Sequence, residues 1–436
     1  MLPDEDDIEL SSPACMLGAY ERGYGMTRKF FDDKETQDPV KREAELMARL
    51  PEQVLHAKAQ SPYYAATLKN IDASGVASRA ARAKLPLTRK SELVELQAKT
   101  PPFGGLLASQ VSELSTIFQS PGPIYEAAGH GPHGGGFERV LWAAGARPGD
   151  IVHNTFSYHL VPAGLLVHNA ANSIGCPVVP AGVGNTEQQL KVIEHLKPRV
   201  YVGTPSFLRI ILEKGKELGT DTTSLQRGSV GAEALPPSLR AELERLGCVV
   251  RQSYGTAELG AIAYETDALE GLVLSEDIVV EIVRPGTGEP LLEGEVGEVV
   301  VTVFNRHFPL LRLATGDMSA VMPGLSPCGR TGKRLRGWLG RADQRTKVKG
   351  MFVDPAQVNE VAKRHAGIGR FRLVVTSENN IDQMTLKVEG AGGPDLVQAI
   401  EATLQAATKL RGAVELVAKG SLPNDGKVIE DARTYK

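Results

Sequence analysis

Cysteine is scarce in this chain. Four occur in 436 residues, Cys15, Cys176, Cys248 and Cys328, scattered and with no C-x-x-C pair. That spacing argues against a disulfide framework or a zinc knuckle and leaves reduced thiols as the expectation. An excess of one charge sign is also lacking. The formal net charge is −3, so no global field recruits nucleic acid or an anionic membrane. No apolar run approaches the length of a membrane span. The start, MLPDEDDIEL, is acidic and has neither the basic nor the apolar region of a signal peptide. A cytoplasmic protein with no nucleic acid and no membrane among its partners is therefore expected.

What is present is ordinary for a globular protein: 42% hydrophobic and 23% charged residues. The length fits two or three domains. Residues 40–100 read as helical and polar, with PVKREAELMARLPEQVLHAKAQ placing apolar residues at helical spacing. From 112 to 265, short β-rich runs (STIFQS, DIVHNTFSY, CPVVPAG, RVYVGT, GSVGAEA, CVVRQSYG) alternate with amphipathic stretches such as GGFERVLWAAGA, NTEQQLKVIEHL and PPSLRAELERLG. This alternation predicts βαβ units and a parallel sheet covered on both faces. In such sheets ligands lie beyond the carboxyl ends of the strands, where GAEAL (231–235) and SYGTAE (253–258) fall. Residues 277–304 read as an antiparallel hairpin with Gly-rich turns. The last stretch reads helix, strand, strand, helix, strand.

The expected fold class is thus α/β: a large N-terminal domain of parallel βαβ sheet plus a small β-subdomain, followed by an α+β C-terminal domain. The expected boundaries are 1–342 and 343–436. Within the first, a helical start covers about 1–110, an α/β core about 111–270 and the β-subdomain about 271–342.

Four segments carry the chemistry, in fixed order: RQSYGTAELG ending its strand near Glu258, LRLATGD ending at Asp317, GRADQRTKVKG (340–350) and SLPNDGKVIEDAR (421–433). In that order the chain resembles the AMP-forming acyl- and aryl-CoA ligase superfamily, most closely its phenylacetate-CoA ligase branch, from about residue 45 to 433. SPYYAATLKN…LPLTRKSEL resembles the start of that branch.

The resemblance implies ATP or AMP, Mg²⁺ and coenzyme A as cofactors. Attack of a carboxylate on the α-phosphate of ATP needs a divalent cation, a positive side chain and anchors for the nucleotide. By resemblance Glu258 serves the metal, supplying a hard oxygen ligand, and Tyr254 packs near the adenine. Gly231, Ala232 and Glu233 form the adenine-contacting segment. Gly255 and Thr256 belong to the same turn as Glu258, although the Ser or Thr usually preceding the glutamate is here Ala257. Asp317 would accept from the ribose hydroxyls and Arg341 would donate to the same ribose. Asp343 matches the hinge that makes the C-terminal domain mobile. Gly350 in KVKG stands where a pantetheine arm approaches, or else makes a simple turn. Lys427 matches the catalytic lysine, entering the site as a point charge. FSYHLVPAG (156–164) resembles the acyl-pocket segment, with Phe156 and Tyr158 as pocket residues. His159 would orient the carboxylate or gate the thiol channel; a histidine satisfied in the core is the other reading.

One segment does not match. A phosphate loop needs glycines, so that backbone N–H groups converge, and hydroxyl donors. IFQSPGPIYEAAG (117–129) has one serine, Ser120, and two prolines without N–H, with Tyr125 and Glu126 adding bulk and negative charge. The glycines of GPHGGGF (131–137), opening a helix, are the candidate substitute. His130 and His133 in the same stretch read as a loop rather than a metal site.

The leading expectation is an acid–thiol ligase that activates an aryl or related carboxylic acid as an acyl-adenylate and transfers it to coenzyme A. Two alternatives stand beside it. One is a ligase-fold protein that has lost ATP turnover and binds acyl-adenylate, AMP or acyl-CoA. The other is an adenylating enzyme that passes the acyl group to an amine or carrier protein. A homodimer is left open.

Overall fold

The computed structural model describes residues 28–120, 123–130, 134–285, 287–342, 344, 346–365, 368–378, 381–422 and 428–433. The chain enters through helix α1 (Pro39–Gln60), started by Asp38, whose side chain accepts from Lys41 N at 2.9 Å, and by Pro39 at the first turn. Its buried stripe Leu46, Met47 and Leu50 packs on Val279. Helices α2 (Pro62–Thr67) and α3 (Arg79–Arg82) follow. Strand β1 (Thr88–Arg89) then pairs in parallel with Leu313–Ala314. This pairing carries Lys90, the next residue, into the interior, before α4 (Leu93–Lys99).

Strands β2 (Leu114–Ser120) and β3 (Ile124–Gly129) form a separate antiparallel pair in the register Phe118↔Glu126 and Ser120↔Ile124. The sequence pattern placed STIFQS among the parallel strands; it pairs instead with its own chain neighbour. Gln97 fastens the hairpin, accepting from Tyr125 N and donating to Tyr125 O, both at 2.7 Å.

The large sheet is built from α5 (Phe137–Ala144), β4 (Val152–Asn154), α6 (Ala163–Ile174), β5 (Val178–Pro180), α7 (Thr186–Leu196), β6 (Val200–Gly203), α8 (Pro205–Leu218), β7 (Arg227–Val230), α9 (Pro237–Arg245), β8 (Val249–Thr256), β9 (Gly260–Tyr264) and β10 (Leu272–Leu274). Next come β11 (Ile278–Val283), β12 (Gly297–Val303), β13 (Leu310–Ser319), β14 (Val321–Met322) and β15 (Arg334–Leu335). The large sheet has the order β14-β15-β10-β9-β8-β7-β6-β4-β5. It is parallel from β5 to β8 and antiparallel beyond. The parallel half is as the strand–helix alternation predicts, and its central strands β4 and β6 are buried on both faces. A second sheet, β1-β13-β12-β11, carries the hairpin expected over 277–304. The expected β-subdomain is thus divided, because β10, β14 and β15 extend the large sheet.

The C-terminal residues form the hairpin β16 (Thr346–Val348) and β17 (Met351–Val353), then α10 (Pro355–Arg364), β18 (Phe371–Glu378), β19 (Ile381–Glu389), α11 (Pro394–Thr408), β20 (Ala413–Val417) and β21 (Ile429–Asp431). Their sheet, β20-β19-β18-β21, has its own core of Val358, Val361, Leu373, Val375, Leu386, Val388, Ile400 and Leu404. Hairpin β16–β17 and strand β21 are additions to the order read from sequence. Among the described residues, no helix is long and apolar enough to cross a membrane.

Candidate active site

The two sheets meet where β8 passes β13, and there three of the singled-out residues come together. Asp317 Oδ2 accepts from Tyr254 OH at 2.9 Å, and Oδ1 accepts from Arg341 Nη1 at 2.8 Å. The indole of Trp338, a residue the sequence reading missed, donates to Oδ1 at 3.0 Å. Burial, with the charge of Asp317 adding, raises the Tyr254 phenol well above its ordinary value. It is therefore a neutral donor. A carboxylate held by three donors has a fixed orientation and lone-pair capacity to spare.

Beyond β7 the chain turns through Gly231, Ala232 and Glu233. A side chain at Gly231 would come within 2.9 Å of Ser253 Oγ. Ala232 sits at φ 65°, a left-handed conformation that costs about 1 kcal/mol or more and marks functional segments. Glu233 accepts from Ser206 Oγ at 2.6 Å. The C-terminal hairpin reaches this turn. Lys347 Nζ donates to Ala232 O, and Gly350, at φ +81°, brings the tip of β16–β17 to Glu233. Burial lowers the Lys347 ammonium below its ordinary value, with Glu233 opposing the shift. The Phe352 ring lies 5.9 Å from the Arg341 guanidinium and 5.6 Å from Lys347 Nζ.

Glu258 has no exposed side-chain surface, and its carboxylate is clasped by Lys90 Nζ at 2.8 and 2.9 Å. Burial pushes the carboxyl up, but the Lys90 charge and hydrogen bond win and hold it below the ordinary value. Gly255 is required because a side chain there would strike Gly260 O. The segment that should cradle phosphate is the β2–β3 hairpin, with only 121–123 between Ser120 and Ile124. Glu126 on β3 is 4% exposed. Burial, with the nearby Glu258 charge adding, pushes it up to about 8, while Ser120 and Lys90 pull the other way. The substitute glycines serve packing where they are described: Gly135 O accepts from Ala261 N at 2.8 Å, and Gly260 lies directly against Gly135. Residues 131–133, His133 among them, lie outside the described residues.

On the acyl side, Phe156 packs against the β4–α6 core. Tyr158 OH accepts from Asn154 Nδ2 at 2.8 Å and lies 3.3 Å from His168 Nδ1. His168 of α6, not His159, is the histidine that meets Tyr158. His159 is exposed, on a loop tied to β2 by the bond Gln119 N to Leu160 O, 2.8 Å.

Asp343 and Lys427 lie outside the described residues. Val428, which follows Lys427, donates to Gln344 Oε1 at 2.7 Å. Among the described residues, no three His, Cys, Asp or Glu side chains converge as a metal cluster. Glu258 with the neighbouring Glu126 is the oxygen set that a hard cation could use, alongside water and substrate oxygens.

The chain matches known proteins over most of its length. Residues 137–303 match the family of AMP-binding enzymes, and residues 350–432 match the AMP-binding enzyme C-terminal domain. The chain is 32% identical over 378 residues to a phenylacetate-coenzyme A ligase of Aromatoleum evansii, covering 82% of this chain and 83% of that one. In structure it is similar to 2-hydroxyisobutyryl-CoA ligase in complex with 2-HIB-AMP and CoA in the thioesterification state. There the TM-score is 0.81 at 23% identity, covering 95% of this chain and 96% of the other. For the same ligase in the postadenylation state with R3-HIB-AMP, the TM-score is 0.69 at 23% identity, over 94% and 95% of the chains. The chain belongs to the AMP-binding, adenylate-forming enzymes, in their phenylacetate-CoA ligase branch.

Proposed function

We infer that the protein is an acid–thiol ligase: it forms an acyl-adenylate from a carboxylic acid and ATP and transfers the acyl group to coenzyme A. The observation that carries this reading is the Tyr254–Asp317–Arg341 constellation at the sheet edge, facing the Gly231–Glu233 turn that Lys347 reaches from the C-terminal hairpin. Asp317 would take the ribose hydroxyls as a preoriented acceptor. Gly231 and Ala232 would bear the purine on exposed backbone. Phe156 and Tyr158 would line the acyl pocket, and an aryl acid suits those rings. His159 would orient the substrate carboxylate or gate the thiol channel from its exposed loop.

A divalent cation, which we take to be Mg²⁺ at Glu258, would supply charge neutralisation at the α-phosphate. Lys90, already buried there, contributes positive charge from the protein itself. Lys427 would bring a second during adenylation and leave afterwards by rotation at Asp343, the junction between the 1–342 and 343–436 domains.

The described arrangement suits the later, thiol-accepting step. Gly350 stands beside Glu233, open to a thiol arm, and the higher structural similarity to a ligase in its thioesterification state supports this. We place the protein in the cytoplasm, with nucleotide, acid and coenzyme A as its partners.

The hairpin between Ser120 and Ile124 favours one further reading, that ATP binds weakly and the protein works mainly on AMP and the acyl-adenylate. Incubation with ATP, Mg²⁺, coenzyme A and a panel of acids, read by mass spectrometry, tests the ligase reading: at least one acid should yield its acyl-CoA. Titration calorimetry with ATP and AMP tests the other, and tighter ATP binding would dismiss it.

A further inference from the structure

The hairpin that replaces the phosphate loop leaves a set of buried oxygens short of hydrogen-bond partners. Ser120 Oγ, Glu126 Oε1 and Thr256 Oγ1 are buried and have no partner at full hydrogen-bond geometry; Ser120 acts only as a weak donor toward Glu126, and Thr256 toward Glu258. Ser120 and Glu126 are 2% and 4% exposed, and Glu258 beside them is fully covered. The four form one cluster. Ser120 lies next to Glu126, Glu126 and Glu258 act on each other electrostatically, Thr256 is beside Glu258, and Lys90 acts on both carboxylates. An unpaired buried polar atom costs about 1–3 kcal/mol, more when charged. Here three such atoms cluster around the Glu126 and Glu258 carboxyls. The two carboxylates oppose one ammonium, so with both ionised the cluster carries a formal −1. Every orphaned atom is a hard oxygen, the donor type that Mg²⁺ and Mn²⁺ take with one or two carboxylates and several waters.

We propose that Glu126 is a second carboxylate of a divalent-cation site centred on Glu258, with the hydroxyls of Ser120 and Thr256 in the same cluster. The proposal rests on the reading of Glu258 as the metal residue and adds what this chain alone brings. Where the strand connection is too short for a phosphate loop, the same hairpin supplies an anionic oxygen, so the cation is held by the protein before any nucleotide arrives. Lys90 sets the affinity. Its ammonium touches both Glu258 oxygens, and a divalent cation must share that carboxylate with it.

The test is Mn²⁺ binding to the full chain without nucleotide, followed by electron paramagnetic resonance, with Mg²⁺ as competitor. The wild type should take up one Mn²⁺ per chain, displaceable by Mg²⁺. Glu126→Gln should weaken binding at least about tenfold, the loss typical of groups supporting a metal, and Lys90→Met should tighten it. Glu126→Gln keeps the side-chain shape and buries no new charge, so its melting curve should show a folded protein. It decides the matter even where Lys90→Met fails to fold. No Mn²⁺ uptake by the wild type into the millimolar range, or equal affinity in Glu126→Gln, overturns the proposal. Because the assay needs neither acid nor ATP, absence of acyl-CoA formation with Mn²⁺ binding intact would fault the ligase reading and leave the cation site standing.

Discussion

Lys90 and Glu258, separated by 168 positions in sequence, form a buried ion pair in which one ammonium lies 2.8 and 2.9 Å from the two carboxylate oxygens. The pair exists because β1 threads in parallel beside β13 and delivers Lys90 under the turn that ends β8. Removing one partner of such a pair leaves an uncompensated charge and costs about 3–5 kcal/mol. Lys90→Met should therefore lower stability by about that amount in urea denaturation. A loss below about 1 kcal/mol, the range of exposed pairs, would mean that Glu258 is solvated.

Asp317 is the expected ribose anchor, and Trp338 is one of its three donors. Asp317→Asn should weaken AMP binding by about 1.5–3 kcal/mol, the range for hydrogen bonds to charged groups, as read by calorimetry. Trp338→Phe should cost less, because Tyr254 and Arg341 still orient the carboxylate. Equal AMP affinity in Asp317→Asn and wild type would remove Asp317 from the nucleotide site.

Glu126 gives stability a pH dependence of definite sign. Its folded value is about 8 against an ordinary 4.5, so between those limits the folded chain keeps a proton that the unfolded chain has shed. Below about 4.5 both states hold the proton and nothing is lost. As pH rises toward 8 the unfolded state gains, and stability falls with a slope approaching about 1.4 kcal/mol per pH unit. Glu276, pushed up to about 7 by burial, adds in the same direction. Melting temperatures across pH 5 to 8.5 should show the fall, and Glu126→Gln should flatten it. An unchanged slope in that variant would place the Glu126 carboxyl in water.

Much of this was legible in the chain. The βαβ alternation gave the parallel half of the large sheet because buried parallel strands read as short apolar runs between amphipathic helices. GAEAL, SYGTAE and ATGD marked the site because strand ends and their turns are local signals. Lys90, Trp338 and His168 were not legible. Their meaning comes from partners 168, 21 and 10 positions away, and no local pattern tells a pairing lysine from a surface one. Lys90 had one cue, its place in LPLTRKSEL directly after the short strand Thr88–Arg89. Glu126 was singled out as a misplaced charge, but its burial against Glu258 follows from the β2–β3 register, which a one-residue slip would have reversed.

Lys427 is a proposal carried by sequence alone. If it neutralises charge only during adenylation, Lys427→Ala should slow acyl-adenylate formation at least about 10²-fold, like the loss of other single electrostatic contacts. Thioester formation from supplied acyl-adenylate should survive. Equal loss in both half-reactions would mean that the residue supports the fold of the C-terminal domain instead.

Carboxylate-dependent exchange of labelled pyrophosphate into ATP tests the central claim most directly, because it requires the nucleotide, the acid and the cation in one site and needs no thiol. The account predicts exchange with at least one acid of an aryl-rich panel, abolished without a divalent cation and reduced in Asp317→Asn. Firm AMP binding with no exchange for any acid would contradict it, and would leave a protein of this fold that holds the adenylate without making it.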